Sequence, residues 1–225
     1  MSIALQIVLL WLLFAATHMA LSSQRLRPRL VAALGERGFL GVYSLVAIAI
    51  FVALVWRYWG HRHAGALLYT PPALGVAGLW ALYLLQGVAW TLIVAGNFSP
   101  SPVTVGLPEA RRAKLARGVH RITRHPLFMG VGLFGALHLL VMGFATDVAF
   151  WAGFPLFAIA GCAHQDRRKL ATAGPDYRAW HAGTPFLPFA GRDALRGLRE
   201  LPPLAIAIGI ATTVLLRWLH GPLFR

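Results

Sequence analysis

Apolar residues run in six long stretches along this chain, and polar and basic residues collect in the gaps between them. The stretches are about as long as the roughly 20 residues that a helix needs to cross about 30 Å of hydrocarbon. They cover residues 3–21, 38–56, 72–94, 126–144, 148–163 and 201–219. The pattern predicts an all-α fold, a polytopic membrane helix bundle of about six transmembrane helices in a single integral membrane domain over residues 1–225.

Composition supports the membrane class. Hydrophobic residues make up 58% of the chain and charged residues only 12%, whereas a soluble domain has about 25% charged residues. The net charge of +14 does not indicate nucleic acid, because the basic residues are confined to the gaps between apolar stretches. Anionic lipids are the expected partner of these residues. The one cysteine, Cys162, excludes an internal disulfide.

Lysine and arginine are unevenly distributed among the loops. Seventeen of the 21 fall in the first, third and fifth loops, and short cytoplasmic loops of membrane proteins carry such an excess. Both termini are therefore expected on the outer side, which is the periplasm for a bacterial inner membrane protein.

Two of the cytoplasmic segments are expected to have structure of their own. Over residues 109–124, apolar side chains recur at helical spacing with arginines opposite, which predicts an amphipathic helix on the membrane surface; they are Leu115, Val119 and Ile122. The fifth span is expected to continue as a helix up to Gly174. Aromatic residues of the segment that follows are expected at the interface; they are Tyr177, Trp180 and Phe186.

The boundary at residues 118–130, GVHRITRHPLFMG, joins a basic segment to an apolar helix. Arg121, Arg124 and His125 stand at the N-terminus of that helix, where the helix dipole also favours an anion. The short connection before the fifth span would bring Asp166 and Arg167 back beside them. These five residues predict a positively charged pocket for a cofactor or substrate, with binding of lipid headgroups as the alternative.

Histidines are the other candidates for chemistry. His18, His125 and His164 each fall at a cytoplasmic span end, so the topology places them at about the same depth, whereas His138 lies about 20 Å farther along its helix. Neutral imidazole is a common ligand of haem iron and other metals. A buried, hydrogen-bonded histidine is the competing interpretation, since no HxxxH, HExxH or CxxCH pattern occurs.

Three longer segments of the chain are distinctive, namely ATHMALSSQRLRPRLVAALGERGFLGVYSLVA, RITRHPLFMGVGLFGALHLL and HQDRRKLATAGPDYRAWHAGTPFLPF. Together they resemble the NnrU family of bacterial membrane proteins over about residues 1–190, with an additional helix at about 201–219. The resemblance implies a link to denitrification and nitric oxide metabolism. The family is also similar to plant 15-cis-zeta-carotene isomerases, which bind haem b, and this implies a haem-dependent, isomerase-type reaction on an apolar substrate. By position it implies His18 and His164 as the axial ligands, with Cys162 as an alternative ligand.

A remoter resemblance joins RHPLFMG to the membrane methyltransferases of isoprenylcysteine and phospholipid, which use S-adenosylmethionine. Their downstream pair of glutamates is replaced here by HQDRR, in which only Asp166 is acidic. A methyltransferase-like enzyme and a non-catalytic membrane assembly factor are therefore the alternative functions.

Reporter fusions test the predicted topology. A fusion placed after Arg225 is expected to report an outer location, because six spans return the chain to the side on which it started. A cytoplasmic location would show that one apolar stretch does not cross the bilayer or that the charge distribution does not set the orientation.

Overall fold

The structure is a computed structural model, which describes residues 1–99, 101 and 116–224. In this part of the chain there are nine helices: α1 Ile3–Leu21, α2 Leu26–Trp59, α3 Val76–Phe98, α4 Val119–Ile122, α5 Pro126–Leu139, α6 Ala145–Thr172, α7 Pro175–Ala182, α8 Ala194–Arg199 and α9 Pro203–Phe224. The prediction of an all-α membrane bundle is confirmed.

Five of the described helices are long and apolar enough to span a bilayer, namely α1, α2, α3, α6 and α9. Many of their large apolar side chains point outward; Trp56, for example, is 81% exposed and Trp218 72% exposed. An apolar outer surface is expected where the surrounding solvent is hydrocarbon. The chain is therefore a multi-pass membrane protein.

The fourth apolar stretch forms a shorter helix than the sequence predicts. α5 has 14 residues and is about 21 Å long at 1.5 Å per residue. It ends at Leu139 because the residues that follow pair with another segment. Leu68 donates its amide hydrogen to the Gly143 carbonyl at 2.8 Å, and Leu67 and Phe144 form an antiparallel bridge. Hydropathy alone does not reveal such backbone pairing.

α2 begins 12 residues before the second predicted span and contains a break. Gly35 has φ +72° and ψ 164°, a conformation that glycine adopts readily and other residues avoid. The break separates a basic first segment from the apolar part of the helix. The prediction therefore located the membrane-crossing part but missed the helical segment before it.

The amphipathic helix predicted over residues 109–124 is wrong where the structure can test it. Residues 102–115 lie outside the described part of the chain. In residues 116–124 only the four residues of α4 are helical, because Gly118 has φ +53° and Thr123 is extended with φ −159°. Tyr177 and Trp180, expected at the interface, are buried.

The chain forms two compact units. Unit 1 contains Met1–Pro72 and His138–Arg168. Its core lies between α1, α2 and α6 and is rich in aromatic residues; the buried members are Ile7, Trp11, Leu54, Tyr58 and Phe150. The Trp11 indole donates to the Phe150 carbonyl at 3.0 Å, which satisfies its N–H inside the apolar core.

Unit 2 contains the described residues of Ala73–Leu137 and Lys169–Arg225. Its core joins α3, α4 and the start of α9; the buried members are Leu92, Ala95, Val119, Ile122, Leu201 and Ala205. α3 and α9 approach closely at Gly209, where an added Cβ would lie 2.4 Å from the Thr91 hydroxyl. Small residues allow such close contact between membrane helices.

Gly153 is expected to be essential for packing in unit 1. A Cβ at this position would lie 2.1 Å from the Trp11 ring, so Gly153→Ala should lower the stability by about 1–3 kcal/mol through overpacking. Gly161→Ala on the same helix is the matched control, because its Cβ would meet nothing closer than 3.6 Å. Thermal unfolding in detergent measures both variants, and equal unfolding temperatures for the two would contradict this packing model.

Candidate functional site

His18 lies at the C-terminal end of α1 in an aromatic environment. Its ring is stacked on Phe14 with centroids 5.4 Å apart. The Tyr43 ring lies 4.7 Å away and the Phe157 ring meets it edge-on at 5.2 Å. The Nδ1 atom is buried and has no hydrogen-bond partner among the described residues. A buried polar nitrogen without a partner costs free energy, so this atom is suited to a ligand.

His164 is brought to the same end of unit 1 by α6. Its Nε2 atom lies 3.3 Å from the Ser22 hydroxyl oxygen, and the Ser22 hydroxyl also lies 2.8 Å from the His18 carbonyl oxygen. His18 and His164 are close enough to interact electrostatically. The fold therefore brings His18 and His164 to the same end of unit 1. That their imidazole nitrogens are close enough to share one iron stays a prediction.

Ser22 and Tyr43 are site residues that the sequence reasoning missed. Ser22 follows His18 by four residues, a spacing that places two residues on the same helix face, and this signal was available in the sequence. Tyr43 comes from α2, and nothing in the sequence joins it to His18. Only the packing of α1 against α2 reveals it.

Cys162 is buried and 1% exposed. It precedes His164 by two residues, and residues two apart on a helix do not face each other. The two side chains therefore leave α6 in different directions. Cys162 as the alternative ligand stays a prediction. Its thiol would have to reach the cofactor from a different face of α6 than His164.

His138 lies at the other end of unit 1. Its ring is stacked on Trp151 with centroids 3.8 Å apart, and Trp151 precedes His164 by 13 residues, or about 20 Å of helix. This arrangement agrees with the expectation that His138 stands apart from the His18 site.

Arg121, one of the predicted arginines of unit 2, has acidic partners at the two ends of α8. The Arg121 guanidinium donates to Glu200 at 3.0 Å and to Asp193 at 3.2 Å. The Gly118 amide also donates to Glu200 at 2.8 Å. Hydrogen bonds from Gly118 first, then the Arg121 and Arg196 side chains, lower the pKa of Glu200. Arg121 thus helps to fix the turn before α4 against α8.

Arg124 and His125 contact the segment that follows α7. The Arg124 guanidinium donates to the Thr184 carbonyl at 2.7 Å and lies over the Phe186 ring at 5.1 Å. The ring of buried His125 meets Phe186 at 5.6 Å. These contacts hold residues 184–186 against the start of α5.

His120 is a further buried histidine of unit 2. Its Nε2 atom lies 3.0 Å from the Ser99 carbonyl oxygen, and burial lowers its pKa. A neutral imidazole that donates to a carbonyl fits this position. The Nδ1 atom of His120, like that of His18, is buried without a hydrogen-bond partner among the described residues.

Asp166 and Arg167 belong to unit 1, whereas Arg121, Arg124 and His125 belong to unit 2. Asp166 is buried and Arg167 is exposed. The positively charged pocket that would join all five residues therefore stays a prediction.

The described residues contain no group of three or more His, Cys, Asp or Glu side chains that could hold a metal ion. A bare zinc ion needs three or four protein ligands. A haem iron takes four equatorial nitrogens from its macrocycle and needs the protein only for axial ligands. Two histidines match the number of axial positions on a haem iron.

The fold and this site define a class of protein, a multi-pass helical membrane protein with a histidine pair inside one unit. The family model described as NnrU protein matches residues 6–225. The chain belongs to the NnrU family, and the match includes the C-terminal helix α9.

Two curated relatives are chloroplastic 15-cis-zeta-carotene isomerases. The one from Zea mays is 26% identical over 201 residues, which cover 87% of this chain and 52% of the relative. The one from Arabidopsis thaliana is 26% identical over 210 residues, which cover 88% of this chain and 56% of the relative. The chain thus spans about half the length of these relatives. No solved structure matches it significantly.

The Glu200 carboxylate is expected to stabilise unit 2 in a pH-dependent way. Because its pKa is lowered from 4.5, the stabilisation is complete above that value and is lost as the pH falls through the lower pKa of the folded state. Glu200→Gln should therefore lower the unfolding temperature at pH 7, and the difference from the wild type should shrink in acid.

Thermal unfolding across this pH range measures the effect. Glu36→Gln is the control, since it removes an ion pair to Arg27 in which both side chains are partly exposed and which should contribute little. A Glu200→Gln effect that is the same at every pH would contradict the assignment.

Proposed function

We propose that this chain is a haem-binding membrane protein that carries out an isomerase-type reaction on an apolar substrate. The observation that carries the proposal is the buried, unpartnered Nδ1 atom of His18 at the end of unit 1 that also contains His164. Both histidines are the axial ligands in this proposal. The bound haem would supply a redox-active iron, and the surrounding aromatic rings would exclude water from it.

The type of haem is inferred from the resemblance to the plant isomerases, which bind haem b. The chain has a single cysteine and no CxxCH motif, the pattern of c-type haem attachment, which is compatible with this proposal. The exposed side chain of Arg25 would pair with the haem propionates at this end of unit 1.

The substrate class is inferred from the names of the two relatives, which act on a carotene. An apolar polyene would reach the protein through the hydrocarbon, and the exposed apolar helix faces are compatible with such entry. Anionic lipids are the proposed partners of the basic loops. We also infer a bacterial inner membrane location with periplasmic termini from the charge distribution, and a link to nitric oxide metabolism and denitrification from the family.

The methyltransferase alternative depends on Arg124 and His125, which in this structure pack against residues 184–186. No observation favours it over the haem protein. A non-catalytic assembly factor remains the other alternative, and the experiment below separates both from the main proposal.

An absorption spectrum of the purified chain, expressed in cells supplied with a haem precursor, tests cofactor binding. The wild type is expected to show a Soret band with about one haem per chain. His18→Ala and His164→Ala should each lose most of the band, because each removes one axial ligand. Elution as a single species in detergent shows that the variants are folded.

His61→Ala is the matched control in unit 1. His61 lies in the turn after α2, where its Nδ1 atom is 3.0 Å from the carbonyl oxygen of Arg57, so its removal should leave the Soret band unchanged. A wild type without haem would favour the methyltransferase or assembly alternatives. Full haem content in His18→Ala would contradict the ligand assignment.

A further inference from the structure

Residues 187–199 of unit 2, named the α8 segment from here on, carry a group of large apolar side chains at the surface. The exposed fractions of four of them lie between 40% and 72%; they are Leu187, Phe189, Leu195 and Leu198. Single exposed apolar residues are normal on a protein surface, whereas a group of them marks a contact with another apolar phase or molecule. The α8 segment therefore needs an apolar partner.

The side chains of α8 fall into three pairs, because residues three apart in a helix lie on the same face. The pairs are Ala194 and Gly197, which are buried, Leu195 and Leu198, which are exposed, and Arg196 and Arg199, which are also exposed. The helix thus has one face toward the protein, one apolar outer face and one basic outer face. Adjacent apolar and basic faces are typical of a helix that lies in the surface of a membrane.

Small residues fix the buried face of α8 against α4. A Cβ atom on Gly197 would lie 2.8 Å from the Gly118 carbonyl oxygen and 2.9 Å from the Cβ atom of Arg121. The Arg121 guanidinium also binds Asp193 and Glu200 at the two ends of α8. These contacts hold α8 in one orientation, with its leucine and arginine faces outward.

Phe189 is kept at the surface by its backbone. Its φ of +64° lies in the left-handed region, which bulky residues avoid. The Phe189 amide donates to the Ile122 carbonyl at 3.0 Å, and this bond secures the conformation. The ring therefore stays 43% exposed instead of joining the core of unit 2.

Two membrane-spanning helices of unit 2 set the depth of α4 and α8. The Nε2 atom of His120 in α4 lies 3.0 Å from the carbonyl oxygen of Ser99, the residue that directly follows α3. α8 ends at Arg199, shortly before α9 begins at Pro203. α4 also shares one core with α3 and the start of α9. α4 and α8 therefore lie at the level where α3 leaves the hydrocarbon and α9 enters it.

The apolar surface of the α8 segment continues onto a membrane span. Leu204 in the first turn of α9 is 58% exposed, and α9 is long and apolar enough to cross a bilayer. A surface that is continuous with the lipid-facing side of a span and lies at its entry level fits acyl chains better than it fits another soluble protein.

Exposed arginines complement the apolar side chains of the α8 segment. Arg196 is held by Glu200 at 3.0 Å, and Arg192 and Arg199 are exposed at the two ends of α8. A guanidinium binds a phosphate with two parallel hydrogen bonds, and the long arginine stem can lie along apolar surface while its charged head reaches the headgroups. The charge of the segment thus fits an anionic phospholipid.

We propose that the α8 segment lies in the membrane surface, with its four exposed apolar side chains among acyl chains and Arg199 at the phosphate of an anionic phospholipid. This assigns a particular segment and residue to the lipid contact proposed above for the basic loops. It does not rest on haem binding, which the Soret band reports separately.

Fluorescence quenching tests the depth of the segment on the full chain in phospholipid nanodiscs. A bimane label on Leu195→Cys or Leu198→Cys is expected to be quenched by nitroxides on the lipid acyl chains and protected from iodide in the water. The unsubstituted chain, whose cysteine Cys162 is buried, gives the blank for labelling.

Ala179→Cys on α7 is the matched control for depth. Over residues 175–182, all of which the structure describes, no large apolar side chain is exposed, so this label should be quenched by iodide. Equal iodide quenching at positions 195 and 179 would place the α8 segment in water and overturn the proposal. A label at 195 that is protected from both quenchers would also overturn it, because a protein surface such as a second copy would then cover the segment.

The same label at position 195 tests the headgroup contact. Nitroxide-labelled phosphatidylglycerol should quench it more strongly than the same fraction of labelled phosphatidylcholine, and Arg199→Gln should lower this preference several-fold, since each arginine near the surface adds to the attraction for anionic lipid. Arg178→Gln, which removes an exposed arginine from α7, is the charge-matched control and should leave the preference unchanged. Equal quenching by the two lipids, or an unchanged preference in Arg199→Gln, would overturn the assignment of Arg199.

Discussion

The need to satisfy polar groups inside an apolar protein is the constraint on which this structure depends. Water cannot reach most of the interior of a membrane bundle, so each buried donor or acceptor needs a partner from the protein or a ligand. In unit 1 the Trp11 indole finds the Phe150 carbonyl and the Asp147 carboxylate finds Tyr58 and His63. The Nδ1 atom of His18 has no such partner among the described residues, and in the function proposed here this histidine binds a cofactor.

Basic residues at the ends of membrane helices can serve two different purposes. Their distribution among the loops is the basis for our proposal that they bind lipid headgroups. Arg121 and Arg124 instead bind protein groups, namely the carboxylate of Glu200 and the carbonyl of Thr184. A cluster of arginines in a sequence therefore does not by itself identify an anion site. Carboxylates or backbone carbonyls from elsewhere in the chain can bind the same guanidinium groups.

Unit 1 has polar sites at both ends and aromatic side chains between them. One end contains His18 and His164, and the other contains Asp147 with Tyr58 and His63. The aromatic rings that separate the two sites fill the core and exclude water from it. This arrangement separates a candidate cofactor site from a buried carboxylate whose oxygens are satisfied by hydrogen bonds.

The sequence by itself determined the membrane class, the family and the positions of the five long apolar helices among its six predicted spans, because apolar length and local motifs are encoded by residues close together in the chain. It also singled out His18 and His164, whose role as ligands stays a prediction. It did not determine the end of α5, the break at Gly35 or the partners of Arg121. It also did not reveal the site of Asp147, Tyr58 and His63, whose members are up to 89 residues apart. These features depend on backbone pairing and side-chain packing between distant segments, and only the tertiary structure decides which of several possible partners each group meets.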